Sequence, residues 1–175
     1  MRVVETKIYT FNELSEDAKK KAIAKLYDIN VMHNWWDNTY EDAKNIGLKI
    51  DGFELDRNRH CSGNLEHSLN ETSDLILENH GEECQTTVLA ITFRSKWDDL
   101  VEEHSNGIDK NIVNEGNEID FDQEADELEK EFEKDLLNEY SNMLQRESDY
   151  LMTDEAIKDT ILCNEYEFTV EGNQF

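Results

Sequence analysis

The chain has 175 residues, with 42 Asp and Glu against 17 Lys and Arg, a formal net charge of −25 and no proline. No run of about 18 apolar residues is present, so a membrane span is not expected. Residues 1–12 lack the apolar core and small-residue cleavage site of a secretory signal, and general binding to nucleic acid, which needs a cationic face, is not expected either.

Val3 to Phe11 alternates and is rich in Val, Ile, Thr and Tyr, which predicts a strand. Ser15 then caps a helix to about Asn30, with Ala18, Ala22, Ile23, Leu26 and Tyr27 at helical spacing. Lys19, Lys20, Lys21 and Lys25 form the one local basic cluster and read as a solvated helix face. Asn34 caps a second helix, Trp35 to Ile46, with Trp36, Tyr40 and Ala43 as its apolar stripe and Gly47 at the position that ends it. Adjacent residues point about 100° apart on a helix. Trp36 is therefore expected in the core, and Trp35 at the stripe's edge, where a tryptophan can anchor a partner.

Leu48 to Asp56 predicts a second strand, with a bulge or sharp turn at Asp51-Gly52. Residues 57–69 read as irregular, and Asn70 to His80 as a short helix ended by Gly81. Gln85 to Arg94 reads as the clearest strand, with Leu89, Ile91 and Phe93 on one face. Ser95 and Asp98 resemble a capping box opening a helix through Trp97, Leu100, Val101 and His104. Residues 105–117 are polar with two glycines and predict a surface loop. Residues 118–148 predict a long acidic helix with Phe121, Ala125, Leu128, Phe132, Leu136, Tyr140, Met143 and Leu144 at helical spacing. Thr153 caps a last helix through Leu162, and the alternation of Tyr166, Phe168 and Val170 predicts a terminal strand. Together these elements predict a single α+β domain over 1–175: a small, mostly antiparallel sheet of three or four strands packed with four or five helices.

Chemistry-bearing residues form no recognisable motif. His60, Cys61, His67, His80 and Cys84 lie near one another in sequence, but their spacing matches no zinc knuckle. Asp120, Asp122, Glu124, Asp126 and Glu131 fall at ligand positions of a notional calcium loop, yet its turn glycine is replaced by Ala125 within a helical pattern. Nucleophile-elbow, phosphate-loop and zinc-protease signatures are missing. His33 near Trp35 is read as a plain surface or packed histidine rather than a base. The expectation is a non-enzyme without metal or cofactor. The three cysteines, Cys61, Cys84 and Cys163, are expected as free thiols in a reducing, cytoplasmic setting.

The charge is unevenly spread: net −1 over residues 1–60, −9 over 61–117 and −15 over 118–175. Residues 118–139 hold eleven acids and two lysines. Glu124, Glu127, Glu131 and Asp135 recur at three- and four-residue steps, about 5–6 Å apart on a helix, and are read as a solvent-side stripe. Like charges so placed destabilise a helix by a few tenths of a kcal/mol per pair. A polyanionic face kept despite that cost suits docking into a basic, nucleic-acid-binding groove of another protein, steered electrostatically and weakened by salt.

Several segments resemble a loosely defined family of small proteins encoded by bacteriophages and prophages. They are residues 9–19 (YTFNELSEDAK), 35–44 (WWDNTYEDAK), Ile46 to Ile50 running into Phe53 to Arg57 with Cys61 and Gly63, Glu78 to Glu82 with Cys84, and Tyr150-Leu151 with Asp154 to Ile157 leading to Asn164 to Phe168. The resemblance covers most of the chain and implies no catalytic residues. It implies a setting in which small acidic proteins bind and block host machinery, including restriction enzymes and CRISPR effectors. The expected function is thus a phage-derived, anti-CRISPR-like inhibitor of a host defence nuclease, with a basic, nucleic-acid-guided enzyme as partner. Two alternatives stand beside it: an antitoxin-like or regulatory module neutralising a basic protein, and a small metal-dependent nuclease.

Overall fold

The computed structural model describes residue 1, residues 5–107 and residues 115–175, with the side chains of 106, 107 and 115–120 excepted. In chain order the elements are β1 (Tyr9–Thr10), α1 (Glu16–Lys25), α2 (Asp37–Asn45), β2 (Leu48–Glu54), β3 (His60–Leu65), α3 (Leu69–Asn79), α4 (Gln85–Gly107), α5 (Glu115–Leu151), α6 (Asp154–Cys163) and β4 (Glu167–Phe168). The class is α+β. Among the described residues, however, there are six α-helices, and the strands form two separate antiparallel pairs, β1–β4 and β2–β3, instead of one sheet of three or four strands. The chain gathers into two compact units: residues 1–36 with 145–175, and residues 37–144.

In the first unit the side chain of Ser15 accepts from the amide of Ala18 at 3.3 Å and starts α1. The helix stops at Lys25, short of Asn30, and Asn30 is used otherwise. Its amide donates to the Leu151 carbonyl at 2.9 Å, and its oxygen accepts from the Thr160 hydroxyl at 2.6 Å. Thr153 caps α6 by accepting from the amide of Ala156 at 3.3 Å. Phe11, Leu14, Ala18 and Ala22 pack with Ile157, Ile161 and Phe168 as the core, and the rings of Phe11 and Phe168 meet edge to face at 6.1 Å. Of the expected strand over Val3 to Phe11, residues 3 and 4 lie outside the described residues and only Tyr9 and Thr10 pair, with Phe168 and Glu167. Phe11 turns into a short 3₁₀ segment because Glu13 reaches back to the Thr10 amide at 2.8 Å. The expected terminal strand shrinks likewise to Glu167–Phe168. Gly172 adopts φ +79° and lies so close to α1 that a Cβ would sit 2.2 Å from the Ala18 carbonyl.

In the second unit α2 begins at Asp37, so neither Trp35 nor Trp36 lies on it, contrary to the expected start at Trp35. Gly47 takes φ +78° after the helix, as expected of its position. β2 pairs with β3 from Leu48–Leu65 to Glu54–His60, with a register shift between Ile50 and Gly52, the place marked by Asp51-Gly52. Residues 60–65 are therefore a strand, not irregular chain. Weak alternation and Gly63 hide it in sequence, yet the ladder demands that glycine, since a Cβ there would meet the Lys49 carbonyl at 2.1 Å. Ser68 caps α3 by accepting from the amide of Glu71 at 3.4 Å.

The largest correction concerns residues 85–94, which are helical, not a strand. The buried residues are Thr86, Thr87, Ala90 and Phe93, a helical set, whereas Ile91 on the expected strand face is 55% exposed. Ser95 sits inside α4 and opens no helix. Of the expected loop 105–117, residues 105–107 close α4, residues 115–117 open α5, and residues 108–114 lie outside the described residues. The expected acidic helix is present and longer than 118–148: α5 runs 37 residues, its residues 115–144 belonging to the second unit and 145–151 to the first.

Candidate partner-binding surface

The surface to be judged is the outer side of α4 and α5 within the second unit. An aromatic seam joins the two helices. Phe93 stacks on Phe132 with ring centroids 4.6 Å apart, Trp97 meets Phe121 edge-on at 6.3 Å, and His104 meets Phe121 at 5.2 Å. Residues early in α4 thus face residues late in this part of α5 and the reverse, which makes the pair antiparallel. Phe132, Leu136, Tyr140 and Leu144 are buried along α5, as the helical spacing predicts.

At about 100° per residue, the acids at positions 122–135 of α5 other than Glu127 fall on the two flanks of this apolar stripe rather than opposite it. One flank carries Glu124, Glu131 and Asp135 beside α4. Glu131 pairs with Lys96 of α4 at 3.0 Å, and Glu124 lies 4.0 Å from His104 Nε2. Asp135 is half-buried beside Thr92, Lys96 and Phe132. Glu127 is exposed and accepts from Gln123 at 3.1 Å. The other flank carries Asp122, Asp126 and Glu129, all exposed, and Glu133, whose carboxylate lies 3.4 Å from the Leu65 amide. The solvent apex holds both lysines, Lys130 and Lys134, with Glu127. The stripe read from sequence as solvent-facing is thus in part an inter-helix seam.

Further carboxylates lie on α4, in the stretch after Ser95 that the sequence already reads as helical. Asp98, Asp99, Glu102 and Glu103 are exposed on α4; with Asp122, Asp126 and Glu129 they make no ion pair with any described residue. By sequence the second unit holds 9 Lys and Arg against 29 Asp and Glu, net −20, and the first unit 8 against 13, net −5.

Trp35, the expected anchor, lies in the turn before α2 and is half-buried. Its ring meets Trp36 edge to face at 5.7 Å, and its amide donates to the His33 carbonyl at 2.8 Å. Trp36, expected in the core, is equally half-buried.

Chemistry-bearing groups do converge at one buried point of the second unit. Tyr140 donates to Asp42 at 2.8 Å, His80 Nε2 stands 3.5 Å from the other Asp42 oxygen, and His80 Nδ1 lies 2.6 Å from the Thr86 hydroxyl. The neighbouring His80 and the Tyr140 hydroxyl hold the Asp42 carboxyl below its ordinary range, against an opposing effect of burial. Burial first, and the Asp42 charge second, push the Tyr140 phenol far up. Thr86 is 4% exposed and Tyr140 0%, whereas the Asp42 side chain is 39% exposed. The group ties α2, α4 and α5 to the end of α3 and acts as a structural polar network.

The other histidines and cysteines do not join it. His60 and Cys61 lie on β3, His67 packs over Gly47 and lies 3.6 Å from Glu71, and Cys84 is exposed. Among the described residues no three His, Cys, Asp or Glu side chains gather as a metal site. Burial raises the Cys61 thiol to about 11, which keeps it protonated and a poor ligand. No described helix is long and apolar enough to cross a membrane. Comparison with protein-family models, curated proteins and solved structures finds no match to this chain.

Proposed function

We propose that the protein is a non-enzymatic inhibitor that binds a basic host protein, a phage-derived agent against a nucleic-acid-guided defence nuclease. The observation that carries this reading is the exposed acid set on one helix pair, without an ion pair among the described residues: Asp98, Asp99, Glu102 and Glu103 on α4 with Asp122, Asp126 and Glu129 on α5. Carboxylates held on two antiparallel helices present fixed negative charge to a cationic groove without folding on binding, which steers association and lowers its entropic cost. The resemblance to small phage proteins supplies the setting. Glu127 joins the exposed set, and Glu124, Glu131 and Asp135 form its border towards the seam; Trp35, in the first unit, is proposed separately as an aromatic anchor.

The test is co-purification with basic nuclease effectors across a salt titration, using a variant with Asp98→Lys, Glu102→Lys, Asp126→Lys and Glu129→Lys. Binding that weakens steeply with salt and is lost in the variant supports the reading. Binding unchanged by the four reversals would overturn the electrostatic mechanism.

A further inference from the structure

The turn after α1 and the α5–α6 corner are clamped together in the first unit. Asn30 bridges the Leu151 carbonyl and the Thr160 hydroxyl, and Thr153 returns both its amide and its hydroxyl to the Tyr150 carbonyl at 2.9 and 2.7 Å. Among the described residues, four exposed large apolar side chains stand within three positions of a bonded residue of this junction: Tyr27 at 60%, Met32 at 70%, Tyr150 at 55% and Met152 at 41%. Met32 is two residues from Asn30, a reach of at most about 7 Å, and Tyr150 and Met152 flank Leu151 directly. Exposed apolar side chains gathered in this way mark interaction sites, and Met and Tyr supply adaptable and rigid contact area respectively.

The charge around the junction selects the occupant. Asp28, Glu147, Asp149, Asp154, Glu155 and Asp159 lie near it along the chain, all but Asp28 exposed, against one nearby lysine, Lys158 of α6, and no lysine or arginine lies in 147–155. Lys25 and Arg146 stand at its borders, Lys25 bonded to the Asn173 side chain. A carboxylate rim repels an anionic lipid surface and a phosphate backbone alike. It attracts a helix that is apolar on one face and lysine- or arginine-rich on the other, the helix-in-groove mode of recognition. We infer that this junction is a docking surface for a cationic amphipathic helix of a partner protein. It lies in the first unit and uses none of the acids of α4 and α5 invoked above.

The four methionines make the test direct, because Met32 and Met152 belong to the junction while Met1 and Met143 do not. The full chain, labelled at its methionine methyls, is titrated with a synthetic amphipathic peptide of leucine and lysine and followed by NMR. The Met32 and Met152 signals are expected to move along one saturation curve while Met143 stays in place. The double variant Met32→Gln, Met152→Gln, at exposed positions, is expected to weaken binding of the fluorescent peptide by about tenfold or more. The four-lysine variant of α4 and α5 is expected to bind it as the parent does, so failure here is distinct from failure of the nuclease reading. The inference is overturned if neither methyl moves, or if a serine–lysine peptide of equal charge moves them as far. It is also overturned, in favour of lipid, if anionic phospholipid vesicles shift them instead.

Discussion

Tyr140 shows how one residue combines two duties. Its ring is fully buried in α5, and its hydroxyl donates to Asp42 of α2. Tyr140→Phe keeps the packing and deletes the bond, so a loss of about 1–2 kcal/mol is expected by urea denaturation. Asp42 also carries a pH signature. Its carboxyl titrates lower folded than unfolded, so the stability it contributes is present above the ordinary carboxylate pKa near 4 and is lost as pH falls through the folded value. Acid titration of the parent should therefore lose stability below about pH 4 more steeply than Asp42→Asn, whose curve is flatter there; equal slopes would contradict the assignment. Neither partner pairing was visible in sequence, because Asp42 and Tyr140 are 98 positions apart. Gly63 was equally silent, since a glycine states its need only through a neighbour. Gly63→Ala places a methyl against the Lys49 carbonyl and should cost about 1–3 kcal/mol, read as a lower melting temperature.

At the scale of elements, what was legible were some of the helix ends. Ser15 and Thr153 bond the amides of Ala18 and Ala156 as the local sequence requires, because a cap is decided within four residues. Gly47 is legible for the same reason. Thr153→Ala should cost about 1 kcal/mol and fray α6, seen by hydrogen exchange at its first turn. The misread element was 85–94. Its threonines, valine and isoleucine favour strands, and Leu89, Ile91 and Phe93 alternate, so both local signals favoured the wrong period. Packing decided otherwise: Phe93 meets Phe132 of α5 and Ala90 is fully buried, contacts that a helix satisfies and alternation does not. Phe132→Ala removes half of that stack from a buried site, for an expected loss of about 3–5 kcal/mol in equilibrium unfolding. The acidic α5 was legible in extent, but not in which flank its carboxylates occupy.

For the whole molecule, the charge of −25 resolves into −5 and −20 for the two units. So many like charges on residues 37–144 repel one another, and the recorded ion pairs, such as Lys96–Glu131, are exposed and contribute little each. Raising ionic strength from about 0.01 to 0.15 M shortens the Debye length from about 30 to 8 Å. The melting temperature should therefore rise by a few degrees, at about 2–4 °C per kcal/mol for a chain of this size. A fall would mean that attractive pairs outweigh the repulsion.

The sequence by itself determined the composition-level and local features: the surplus of carboxylates, the caps Ser15 and Thr153, the glycine that ends α2 and the long apolar stripe of α5. Each depends on residues within one or two turns of each other. Only the tertiary structure decided that residues 85–94 are helical, that 60–65 pair with 48–54, that two small ladders replace one sheet, and that Glu131 is paired with Lys96 across the seam. Those outcomes depend on partners tens of residues away, and the burial of a shared apolar surface outweighs local propensity.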